Sequence, residues 1–183
     1  MNILVYIETK EGAPVQGSLE LLTAAKELGE VLAVAVEDKE AAEKTAALGA
    51  KVTVLKTGDT SEDAQTAVLE GYIKEKQPEL VLFSGTQFGK DLAPRLAQRF
   101  GAGCVTDVTA IEKAGEGVEY VRPAYGGTVL ERLAVSGPMQ FATVRSGSFA
   151  KPEAAEGSVE EKDAPVAADA LKAKVIDAAK EIA

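Results

Sequence analysis

The chain has 183 residues, a net charge of −9 and no histidine. Its 46% apolar and 27% charged residues describe an ordinary globular domain with a core of its own. The acidic balance excludes the clustered Lys and Arg that nucleic acid or an anionic membrane surface requires, and the missing histidines exclude His-based triads and His metal sites.

The chain opens with "NILVYIE" (2–8), a short β-branched run that predicts a buried strand. There is no basic segment or cleavage site before it, so no signal peptide is expected, and a cytoplasmic protein is the simplest reading. The next stretch, "TKEGAPVQGS", reads as a mobile surface loop. A helix is predicted over 17–28, with Ser18 as N-cap, Leu21, Leu22, Ala25 and Leu28 on one face, and Gly29 as its end. "EVLAVAVE" (30–37) predicts a second strand. "DKEAAEKTAALGA" predicts a helix closed by Gly49, and "KVTVLK" (51–56) a third strand. Residues 61–76 predict a helix capped by Ser61 and blocked by Pro78, and 79–84 a fourth strand. Residues 89–100 predict a fourth helix, closed by Gly101. Strands alternating with helices in this way indicate βαβ units and a mostly parallel sheet.

After residue 101 the punctuation changes. "GCVTDVTAIEK", "GVEYVRPAY", "GTVLERLAV" and "MQFATVRSG" are strand-like and are separated by Gly or Pro turns. This predicts antiparallel strands extending the parallel core. Residues 151–166 read as an acidic, Pro-containing linker that buries little and moves freely. Residues 167–183 read as a C-terminal helix with an apolar stripe of Leu171, Val175, Ala178 and Ile182. No stretch is long and apolar enough for membrane insertion.

Four features bear on function. The loop "SGTQFGK" (84–90) follows a parallel strand and opens a helix, the place where such sheets hold ligands. The backbone N–H groups of Gly85, Thr86 and Gln87, with Lys90, form a weak nucleotide-pocket candidate. The same residues also suit a plain helix entry, since neither a Walker sequence nor a GxGxxG is present. "RPAYGG" (122–127) suits either a recognition surface or a tight connection between strands. All five arginines lie from Arg95 onward, and Arg122, Tyr125, Arg132 and Arg145 are the interface candidates. Cys104, the only cysteine, reads as a small core residue or a reactive thiol. The 29 carboxylates mark neither an acid/base pair nor a metal cluster, so no catalytic residue and no metal site is expected.

"SGTQFGKDLAPRLAQRFGAGCVTDVTAIE", "VRPAYGGTVLERL" and "FATVRSGSF" together resemble, in order and spacing, the electron transfer flavoprotein alpha subunit. "ILVYIE" followed by "LELLTAAKEL" fits the same family, and the resemblance covers residues 1–150 almost continuously. It implies a three-layer Rossmann-like fold of the adenine nucleotide alpha hydrolase type. It implies an N-terminal α/β domain over 1–150, with the linker 151–166 and helix 167–183 leading toward an FAD domain beyond this chain. It implies a structural domain in a heterodimeric electron carrier, not an enzyme. The beta subunit is the implied partner, and dehydrogenases or quinone-side redox proteins are implied partners of the complex. FAD belongs to the full-length complex, and none is expected in this chain alone. The alternative reading is a stand-alone adenine-nucleotide-binding module of the universal-stress type.

Overall fold

The computed structural model describes residues 1–173 and 176–179. Strand β1 (Asn2–Tyr6) leads into a small hairpin of β2 (Thr9–Lys10) and β3 (Ala13–Pro14). Then follow α1 (Gln16–Lys26), β4 (Glu30–Val36), α2 (Lys39–Ala46), β5 (Lys51–Lys56), α3 (Glu62–Lys76), β6 (Leu80–Ser84) and α4 (Gln87–Arg99). The second half holds β7 (Gly103–Val108), β8 (Ala110–Ala114), β9 (Gly117–Ala124), β10 (Val129–Leu133), β11 (Gln140–Val144) and β12 (Ser158–Asp163).

Seven strands form one sheet in the order β12-β5-β4-β1-β6-β11-β7. Every pairing in it is parallel. Alternate residues of each strand feed opposite layers, as the period of two requires. Ile3, Val5, Leu80 and Leu82 pack with Leu21 and Leu22 of α1 and Ala42 of α2. Leu4, Tyr6, Val81 and Phe83 pack with Leu69 and Ile73 of α3 and Leu92 and Leu96 of α4. The α/β three-layer reading therefore holds, and both sheet faces are covered, which is why the strands read as continuous apolar runs.

The antiparallel strands are present, but they do not extend this sheet. β8, β9 and β10 form a separate three-stranded sheet in the order β10-β9-β8. "GCVTDVTAIEK" is not one strand. Asp107 takes a left-handed backbone (φ 61°), the β7–β11 register shifts at this bulge, and the chain bends out of the main sheet into β8. β11 returns to the main sheet parallel to β6 and β7, so the small sheet takes the place of a crossover helix. The signal was in the residues: "QFATV" is buried throughout, the mark of a strand covered on both faces.

Three further expectations are corrected. The mobile loop after β1 is a tight hairpin whose turn residues Glu11 and Gly12 both have positive φ (51° and 77°). Ser18 is not an N-cap. Val15 holds that position, and Ser18 lies buried inside α1, where its hydroxyl accepts the Glu8 N–H at 3.0 Å. The stretch 151–166 is not a free linker: β12 pairs with β5 over six register positions and closes the sheet edge. A parallel edge strand needs backbone partners more than apolar bulk, and charged side chains suit an exposed edge. Lys39 and Lys56 pair with Glu161 there, and Val159 packs on the core.

Of the predicted helix 167–183, the described residues contain a 3₁₀ turn at Ala168–Ala170. Leu171 is half-buried and Ala178 exposed, while Val175 and Ile182 lie outside the described residues. Ser61 caps α3 as expected, accepting the Ala64 N–H at 3.3 Å, and Gly101 follows α4 with a positive φ of 60°.

Candidate functional site

The loop from Ser84 to Lys90 stands at the carboxyl end of β6, where the order of connections in the sheet reverses. Several of its polar groups serve the fold, while the Lys90 side chain is exposed. Gly85 N–H donates to the Val144 carbonyl at 2.7 Å. Thr86 caps α4: its hydroxyl accepts the Gly89 N–H at 3.0 Å and donates to Glu8 Oε2 at 2.5 Å. The Gln87 amide donates to Asp91 at 3.2 Å. A Cβ on Gly89 would lie 2.0 Å from the Ser84 carbonyl oxygen, so this glycine permits close packing. Ser84 Oγ is buried without a hydrogen-bond partner and faces Gly17 of α1, filling the space a side chain there would occupy.

Beside this loop is a cavity of about 690 Å³ lined in part by Tyr6, Glu8, Glu37, Asp38, Glu40 and Phe88. Its carboxylates serve the fold. Glu37 accepts from the Thr57 and Gly58 N–H groups and ties down the β5–α3 loop. Asp38 caps α2 through Ala41 N–H at 2.9 Å and holds Gly12 N–H at 3.0 Å. Glu40 pairs with Lys44 at 2.8 Å. Lys39 is the one basic residue in the lining, and it is turned to Glu161 at 3.1 Å. A wall of carboxylates repels the phosphates of a nucleotide or of FAD. The crevice therefore does not fit either group. Among the described residues, no set of Cys, Asp and Glu side chains is arranged to hold a metal ion.

The four interface candidates separate into two places. Arg122, Tyr125 and Arg132 belong to the small sheet and its turn. Arg122 is half-buried, with Nε 3.7 Å from Glu131 on the neighbouring strand. Arg132 pairs with Glu112 and lies 3.9 Å from Glu119. Tyr125, at φ 51° in the β9–β10 turn, is 83% exposed. Arg145 is elsewhere, at the end of β11, in a two-pronged pair with Asp107 at 2.8 and 2.6 Å. Those hydrogen bonds hold the Asp107 carboxyl below the usual carboxylate range, with smaller pulls from Lys90 and Arg122.

Two apolar residues that the sequence reading passed over complete this surface. Val129 and Leu130 are exposed beside Tyr125, Leu130 at 67%. The clue was their adjacency: consecutive strand residues point to opposite faces, so one of them had to face outward. The small sheet is fixed to the large one by Tyr120, fully buried, whose hydroxyl donates to Gln140 Oε1 at 2.6 Å. Burial against the cluster on the α4 side of the main sheet pushes the Cys104 thiol up to about 11, so it is protonated and poorly nucleophilic near neutral pH.

A family model described as the electron transfer flavoprotein domain matches residues 3–170. The chain belongs to the electron transfer flavoprotein family. It is 34% identical over 177 residues to the electron transfer flavoprotein subunit alpha of Mycobacterium tuberculosis, an alignment covering 92% of this chain and 55% of that protein. It is 36% identical over 104 residues to the subunit alpha of Bacillus subtilis, covering 55% of this chain and 32% of the relative. Protein FixB of Clostridium saccharobutylicum is 30% identical over 191 residues, covering 96% of this chain and 57% of FixB. The chain thus spans between about a third and just over half the length of these relatives. Its likeness is to the N-terminal domain of an electron transfer flavoprotein alpha subunit, and the universal-stress reading is not favoured. Among the described residues, no helix is long and apolar enough to cross a membrane.

Proposed function

We propose that this chain is the structural and interaction domain of an electron transfer flavoprotein alpha subunit, and that it docks a beta subunit through the small antiparallel sheet. The reading rests on one observation above others: Tyr125, Val129 and Leu130 are all exposed at the tip of β9–β10, with Val129 and Leu130 on opposite faces of the strand. A group of exposed apolar side chains flanked by paired charges has the composition of an interface core with its rim. The names of the relatives supply the kind of assembly. In that complex the chain is a component of an electron carrier rather than an enzyme with catalytic residues of its own. The complex carries FAD, accepts electrons from dehydrogenases and passes them to quinone-side proteins. The carboxylate-lined crevice speaks against nucleotide binding as the chain's own task.

Titration with the beta subunit tests this. Tyr125→Ala and Leu130→Ala are each expected to weaken binding by about 2 kcal/mol, roughly 30-fold. Lys26→Ala, on the exposed end of α1, is expected to change it by no more than about 0.5 kcal/mol. Arg122→Ala is a poorer probe, because its half-buried guanidinium also supports the sheet. Equal affinities for Tyr125→Ala, Leu130→Ala and Lys26→Ala reject the surface. Stoichiometric uptake of AMP or ATP by the isolated chain rejects the structural role.

A further inference from the structure

After β12 the chain turns back over α3. Ala164 N–H donates to the Lys56 carbonyl at 2.9 Å and carries the β12–β5 ladder one step further. Ala164 and Val166 then lie against the apolar cluster of the α3 face. That contact is incomplete. A cavity of about 350 Å³ remains beneath the segment, lined by Val68, Tyr72, Val166 and Ala170 among others. Side chains bordering such an open groove have fewer neighbours on that side and make fewer dispersion contacts than those of a close-fitting segment.

The far end is held differently. Asp63, in the first turn of α3, accepts two backbone N–H groups on one oxygen: Lys172 at 2.9 Å and Ala173 at 3.0 Å. Its other oxygen accepts from Arg95 Nη2 of α4 at 2.6 Å. The Asp63 side chain is 11% exposed, so this is a sheltered arrangement with each oxygen satisfied. Arg95 orients the carboxylate and also reaches Glu62 at 3.4 Å. Hydrogen bonds to an ionised acceptor are about twice as strong as neutral ones.

We propose that residues 164–173 form a strap across α3 with Asp63 as its latch, and that this latch holds Lys172 and Ala173 on the α3–α4 face. The near end of the strap is anchored by the six register positions of β12 on β5. The middle is underpacked. The far end depends on one carboxylate joining α3, α4 and the strap. Without it, the segment opens from its far end while the sheet stays closed.

Hydrogen exchange on the whole chain tests the latch. In Asp63→Ala, the amides of Lys172 and Ala173 are expected to exchange about tenfold faster or more, the size of one lost charge-assisted interaction. Amides of Leu69 and Ile73, in the buried face of α3, are expected to keep their rates. Val166→Ala thins the middle of the strap and is expected to speed the same two amides by no more than about threefold. Unchanged exchange at Lys172 and Ala173 in Asp63→Ala overturns the proposal. So does an equal acceleration in α3, or a Val166→Ala effect as large as that of Asp63→Ala.

Discussion

Strand β11 buries all five of its residues, whereas β10, just before it in the chain, buries none of its five. Both are short strands containing apolar residues, and the difference comes from their neighbours. β11 sits between β6 and β7, with helices or the small sheet over its faces. β10 is the edge of a three-stranded sheet whose outer surface meets solvent. The large sheet places its apolar side chains where they hold the fold together. The small sheet leaves Tyr125, Val129 and Leu130 outside, where exposed side chains add little to the stability of the isolated chain and are open to the partner proposed above.

Substitution on each side of the divide breaks or sharpens that contrast. The largest effect is expected in β11. Phe141 is fully buried between the rings of Phe83 and Phe100, at 6.4 and 6.0 Å. Phe141→Ala is expected to cost about 3–5 kcal/mol in denaturant unfolding. Leu130→Ala in β10 is expected to stay within about 0.5 kcal/mol. Comparable losses would erase the distinction between the two sheets.

The seam between them comes next. Tyr120→Phe leaves the buried Gln140 carbonyl oxygen without its donor and is expected to cost about 1–3 kcal/mol. A neutral Tyr120→Phe would mean that the small sheet is carried by apolar contact alone.

The smallest effect is expected at the carboxyl edge. Arg145 depresses the pKa of Asp107 in the folded state. A depressed carboxylate adds stability above its unfolded pKa and loses it as pH falls through the folded value. Arg145→Ala is therefore expected to lower the urea midpoint slightly near neutral pH, with the difference from the unsubstituted chain closing on acidification. A gap that persists in strong acid would assign the loss to packing instead.

Much of the first hundred residues was legible because helices and strands there carry local signals. The 3.6 and 2.0 periods, Ser61 before α3 and Gly101 after α4 each act within a few residues. Ser18 was misread for the same reason: an N-cap and a buried helical serine look alike until Glu8 is seen to donate to it. At the loop 84–90, the residues favoured a plain helix entry over a phosphate cradle without excluding the cradle. Contacts with Val144 and Glu8, 59 and 78 residues from their partners Gly85 and Thr86, hold that entry in place, and no local run of residues announces them.

By itself, the sequence determined the alternating α/β architecture, the strands on either side of residue 101 and the resemblance to one family, because periodicity and motif order are properties of neighbouring residues. Tertiary structure decided the rest. It turned an acidic stretch into the edge strand β12, because an edge asks for backbone partners and tolerates charge. It sent β11 back into the main sheet while leaving β8–β10 outside. It joined Asp63 to the Lys172 and Ala173 amides. Each of these depends on which distant segments meet, and strand pairing, exposure and long-range hydrogen bonding are settled by competition among all the available partners rather than by any local run of residues.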